Sequence, residues 1–168
     1  MNRYDEKIVE LGLQIPESIL PVGNFVPYVV ANNLVYVSGQ IPLQGGRPAF
    51  VGKLGRDFTV EEGQKAARLC ALQVLGIIKD ACGGDLSKVV RCVRLGGFIN
   101  SLPEFTNQPQ VMNGASDLMV SVFGDSGRHA RAAVGVNSLP AGVAVEVDAI
   151  FEIATAITDA IRRNELTE

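Results

Sequence analysis

The chain has 168 residues and a mass of 17.9 kDa, which suits one domain with a buried core and is short for two. Hydrophobic residues make up 47% and charged residues 20%, a composition that excludes wholesale disorder. Lys plus Arg is 15 and Asp plus Glu is 18, for a net charge of −3 and a pI near 5.2, which argues against a protein built to track phosphate backbones.

Residues 5–13 carry Ile8, Val9, Leu11 and Leu13, a short amphipathic start of helical spacing closed by Pro16 and Pro21. Two apolar runs follow, Phe25–Val30 and Leu34–Val37, separated by Asn32-Asn33, and these predict a β-hairpin. Gln44–Leu54, rich in Gly and Pro, reads as a loop. Thr59-Val60-Glu61-Glu62 is a capping-box sequence. Ala67, Cys70, Ala71, Val74, Ile77, Ile78 and Ala81 then recur at helical spacing up to a Gly83-Gly84 stop. Val89–Ile99 predicts a strand and Gln108–Val122 a second helix, which Asn113 and Gly114 weaken. Ala130–Val136 and Val143–Ile153 predict two strands joined as a hairpin through Asn137–Gly142, and Ala154–Arg163 a terminal helix. The order β-β-α-β-α-β-β points to an α+β sheet with both helices on one face. The other face then needs its own cover, and the mean hydropathy of +0.21 suggests copies of the same chain.

Three cysteines, Cys70, Cys82 and Cys92, lie in apolar stretches without C-x-x-C spacing, and read as buried inert thiols rather than disulfides or zinc ligands. His129 is the single histidine, so no multi-histidine metal site is expected in one chain. The charged start lacks the apolar core of a signal peptide, and no apolar run approaches the ~20 residues of a membrane helix. The expectation is a cytoplasmic protein without a membrane or nucleic-acid partner.

Chemistry is sought in polar residues set within apolar strands. Arg131 is flanked by small and β-branched residues, and Ala133 and Gly135 share its face by the period of two. That leaves room beside a guanidinium for a small carboxylate, while an internal ion pair is the plainer alternative. Glu146 lies on the next predicted strand, with Asp148 on the same face as its competitor. Pairing Ala133 with Glu146 would put Arg131 and Glu146 on one face, a one-residue slip would separate them, and the sequence leaves this open. Tyr28 and the Ser38-Gly39 turn form a third group, Asn113 offers an amide near a helix start, and His129 reads as a solvated residue at a strand start.

Val35-Tyr36-Val37 leading into Ser38-Gly39-Gln40-Ile41-Pro42, with the block from Arg131 through Leu139-Pro140 to Val145-Glu146-Val147-Asp148-Ala149, resembles the RidA (YjgF) family over roughly residues 21–151. The resemblance implies a chorismate-mutase-like α+β fold in a single domain, with a core at about 21–153 and an extension at each end. It also implies a homotrimer with clefts between subunits. The implied activity is hydrolysis of enamine and imine intermediates such as 2-aminoacrylate to 2-oxo acids and ammonia, with no metal or organic cofactor. By position, Arg131 matches the residue that binds the substrate carboxylate and Glu146 the residue beside the attacking water. Tyr28, Ser38, Gly39 and Asn113 match other cleft positions. Ala133 stands where the family commonly has cysteine, and the stretch between Phe105 and Asn113 looks longer than usual. A non-catalytic trimer binding small carboxylates is the alternative. An endoribonuclease, a label some members carry, is disfavoured by the acidic charge and single histidine.

Overall fold

A computed structural model describes residues 2–18 and 23–154. Asn2 starts helix α1 (Arg3–Glu10) by accepting hydrogen bonds from the amides of Tyr4 and Asp5, which have no partner inside the helix. This short helix buries Tyr4 and Ile8, and the Tyr4 ring meets Phe123 edge-on at 4.9 Å. The segment expected as an extension is thus part of the core.

Strands β1 (Tyr28–Ala31) and β2 (Leu34–Gln40) form the expected hairpin about Asn32. Asn32 takes φ 57°, a left-handed conformation that Asn tolerates. At the start of the expected loop, β3 (Leu43–Gln44) and β4 (Arg47–Pro48) make a small separate hairpin. The Thr59 hydroxyl then accepts from the Glu62 amide at 3.3 Å while the Glu62 carboxylate accepts from the Thr59 amide at 2.8 Å. That reciprocal cap opens helix α2 (Val60–Ala81), which ends before Gly83 and Gly84 at φ 66° and 87°.

Strand β5 (Val89–Asn100) leads through helix α3 (Gln108–Phe123) to β6 (Ala130–Val136), and β7 (Val145–Ile153) completes the sheet. Gly114 does not break α3: a side chain there would overlap the Gln64 backbone of α2, so its absence lets the two helices approach. Both helices pack on the same sheet face, against Val35, Val37, Leu95, Val145, Val147 and Phe151, all buried. The segment 154–163, expected as a helix, lies outside the described residues beyond Ala154.

The mixed sheet has the order β1-β2-β7-β5-β6, antiparallel throughout except for the parallel pair β5 and β6. The expected hairpin between β6 and β7 is therefore incorrect, because β5 lies between them. A parallel neighbour needs a long crossover, and α3 supplies it. The chain from β6 then passes over the end of β5, where Asn100 donates its backbone amide to Ala144 and Val51 bridges Val143.

Candidate functional site

The register of β5 decides which side chains can meet. Leu95 pairs with Arg131 on one side and Ala149 on the other, whereas Phe98 pairs with Val134 and Glu146. Residues paired across a sheet share a face. Leu95 and Ala149 are buried beneath the helices, so Arg131 belongs to the helix-side face and Glu146 to the open face. The pairing of Ala133 with Glu146, which would have joined them, is replaced by Gly97 with Ala133 and Phe98 with Glu146.

Arg131 stands on the edge strand, where the helices no longer cover the sheet fully, and is exposed. Its Nη1 donates to Asn113 Oδ1 at 2.9 Å and to Ser116 Oγ at 3.1 Å, both on α3. Among the described residues it forms no ion pair, so the internal ion-pair alternative is corrected. Neutral acceptors orient the guanidinium and leave its charge and remaining N–H groups for a bidentate carboxylate.

Behind Ser116 lies His129, half-buried rather than solvated as expected. Its Nδ1 is 2.6 Å from the Gly127 carbonyl and its Nε2 is 3.0 Å from Ser116 Oγ. A carbonyl only accepts, so Nδ1 carries the proton and Nε2 accepts from the Ser116 hydroxyl. Burial, joined by the nearby Arg131 charge, holds the imidazole below its ordinary range against the opposing Gly127 bond. Ser116 thus accepts from Arg131 and donates to a neutral histidine. The sequence signal for it was its place three residues after Asn113 on one helix face, but nothing local says which strand that face covers.

Glu146 is half-buried on the open face, and burial, reinforced by the negative Asp148, raises its carboxyl above the usual range. Its competitor Asp148 is engaged with Arg94 at 3.0 Å. Gly39 lies directly against Glu146, since a Cβ there would overlap the carboxylate. A register shift between β2 and β7 from Val37 to Gln40 carries Ser38 and Gly39. The Ser38 hydroxyl donates to the Val26 carbonyl at 2.7 Å.

Tyr28 joins neither group. It pairs with buried Val37 and so takes the helix-side face at the sheet edge opposite Arg131. Burial, with the negative Asp80 nearby, raises its phenol above the ordinary value. The three cysteines are buried and unpaired, as expected. Among the described residues no three His, Cys, Asp or Glu side chains are grouped to hold a metal ion, and no helix is long and apolar enough to cross a membrane.

Comparison with known proteins bears on this arrangement. A family model described as "YjgF/chorismate mutase-like, putative endoribonuclease" matches residues 5–151, α1 included but for its first residues. Protein TCP17 of Trypanosoma cruzi is 49% identical over 153 residues, covering 90% of this chain and 95% of that protein. The crystal structure of Atu1372 from Agrobacterium tumefaciens, a protein of unknown function, is 48% identical with a TM-score of 0.85, covering 90% of this chain and 92% of that one. A Shewanella oneidensis protein described as a putative endoribonuclease superposes with a TM-score of 0.87 at 34% identity, over 90% of this chain and all of that one.

Proposed function

The chain belongs to the YjgF/chorismate mutase-like (RidA) family, and from that premise we propose that it is a homotrimeric deaminase hydrolysing reactive enamines and imines to 2-oxo acids and ammonia. The observation that carries this is the oriented but unneutralised Arg131 together with a half-buried, proton-avid Glu146. The two lie on opposite faces of one sheet, so a cleft between subunits is where one small substrate would meet both. The open face offers apolar surface for such packing, with Val29, Tyr36 and Val134 each 44–54% exposed.

In this mechanism Arg131 grips the substrate carboxylate and places the imine carbon near Glu146 of the neighbouring subunit. Asn113 and Ser116 hold the guanidinium, while Ser38 and Gly39 shape the Glu146 side. An enamine enters as its imine tautomer; the Glu146 carboxylate takes a proton from water as the oxygen bonds to the imine carbon, the C=N π pair moves to nitrogen, and Glu146 passes the proton on to that nitrogen. In the resulting carbinolamine Glu146 takes the hydroxyl proton and gives it to the amino nitrogen, and the C–N bond then breaks with the electron pair going to nitrogen as a C=O bond forms. Ammonia and a 2-oxo acid are the products. Tyr28, at the sheet edge opposite Arg131, is the substrate-binding residue that the neighbouring subunit would bring to the same cleft.

The test is release of ammonia and 2-oxo acid from 2-aminoacrylate generated enzymatically in situ. Wild type should accelerate it over buffer, Arg131→Ala should raise KM, and Glu146→Gln should lower kcat. Saturable 2-oxo acid binding lost in Arg131→Ala, with no acceleration of any imine, would instead identify the non-catalytic carboxylate binder. The family description also names an endoribonuclease. RNA cleavage abolished by Glu146→Gln would establish that activity against the net charge of −3 and the single histidine.

A further inference from the structure

At the far end of β6 from Arg131 is a cleft of about 510 Å³ whose lining includes Lys53, Ser101, Gln108, Gly135 and Asn137. The Lys53 ammonium is held in place, not left to sway in water. It donates to Asn100 Oδ1 at 2.6 Å and to the Asn137 carbonyl. Asn100 is only 4% exposed, and its amide nitrogen donates to the Gly52 and Val143 carbonyls at 3.2 and 3.1 Å. That clamp turns Oδ1 toward Lys53. Both Lys53 acceptors are neutral, and among the described residues the ammonium has no ion pair.

Ser101 is 8% exposed, and its hydroxyl, which has no hydrogen-bond partner among the described residues, is itself open to solvent. It points at the cleft floor: a Cβ on Gly135 would stand 3.0 Å from both Ser101 Oγ and Gln108 Nε2. Gln108 uses one amide hydrogen on the Phe105 carbonyl at 2.6 Å, which leaves the other. It also opens α3, a 16-residue helix whose Asn107 cap makes no side-chain bond and whose first turn has no acidic residue. A fixed cation, an unpartnered hydroxyl open to the cleft, an amide donor and an uncapped helix start therefore converge, and no lining side chain is an acid.

We propose that this cleft binds a small carboxylate, at a subsite separate from Arg131. One fixed full charge matches one carboxylate, and the hydroxyl and amide donors satisfy its oxygens. Gly135 shares a face of β6 with Arg131 four residues away, a span of ~13 Å between Cα atoms. The bound group is thus either the second carboxylate of a ligand that also reaches Arg131 or a separate molecule.

The experiment is a titration of the isotope-labelled full chain with sodium acetate and, in a second arm, sodium sebacate, a dicarboxylate long enough to bridge that span, following the backbone amides of Ser101, Gly135 and Asn137. Wild type should show saturable shifts with both. Lys53→Met and Ser101→Ala should each weaken acetate binding by about tenfold or more, as loss of a charge-assisted bond does. Ser101→Ala removes no internal hydrogen bond, so it keeps the test decisive if Lys53→Met unfolds. Acetate binding at these amides should survive Arg131→Ala, whatever becomes of the deaminase assay. Sebacate weakened by Arg131→Ala identifies one spanning ligand, and sebacate unaffected identifies a separate one. Absence of saturable shifts in wild type, or equal affinity in wild type and Ser101→Ala, overturns the proposal.

Discussion

Arg131 and Glu146 project from opposite faces of one sheet, with β5 between their strands. Within one chain no small substrate can touch both. Active sites shared between subunits therefore predict complementation: Arg131→Ala and Glu146→Gln proteins, each impaired alone at low substrate, regain activity when unfolded, mixed equally and refolded. Random assembly leaves about one quarter of the clefts with both groups intact. A mixture no more active than its parents would show that each chain supplies both groups to its own site.

Gly39 tests how closely Glu146 is held. A methyl group there occupies the space of the Glu146 carboxylate, while Gly39 itself is exposed and outside the left-handed region. Gly39→Ala should displace the carboxylate without straining the backbone. Deaminase kcat/KM should fall roughly a hundredfold, as expected for a misplacement near 1 Å, with Tm little changed. Kinetics and thermal melts on the same preparation check this.

The strands and helices were legible because their signals are local: the Thr59 to Glu62 box, the spacing from Ala67 to Ile78, and the Asn32 turn all act within a few residues. Strand order was not. Ala130–Val136 and Val143–Ile153 looked like a hairpin because only a short turn separates them, but pairing is decided by α3, which delivers β6 parallel to β5. The side of the sheet taken by Glu146 followed from that distant choice. Arg131 was legible as an unusual charge in a small-residue strand, yet its partner Ser116 depends on how α3 docks. Lys53 was lost in a loop with no pattern, since its place is set by contacts with Asn100 and Asn137, 47 and 84 residues away.

Glu146 also links pH to stability. Its carboxyl is raised above 4.5 by burial and then by Asp148, so the unfolded chain ionises this group more readily than the folded one. The stability it contributes is present below 4.5 and is lost as pH rises through the folded value. Glu146→Gln, neutral at every pH, should raise Tm relative to wild type at pH 7, and the difference should vanish below pH 4.5. Wild-type deaminase activity should run the other way, falling as pH drops through the raised value, because the base must be ionised. Melts and rates across pH 4–8 check both arms.

His129 offers a direct report on Arg131, being the single histidine of the chain. Burial first, and then the Arg131 charge, lower its pKa from 6.5, against the bond to Gly127. Arg91, Arg128 and Glu152 line the same surface depression as the imidazole, and Ser116 occupies its Nε2. Because the unfolded imidazole binds a proton near 6.5 and the folded one resists it, the stability contributed by neutral His129 is present above 6.5 and is lost as pH falls through the folded value. Protonation would also make Nε2 a donor and force the Ser116 hydroxyl to turn. An NMR titration should therefore place His129 below 6.5 in wild type and higher in Arg131→Ala, where a repelling charge is gone. A carboxylate bound at Arg131 should raise it in wild type and leave Arg131→Ala unmoved. Identical titrations in the two proteins would show that the guanidinium and the imidazole do not sense one another.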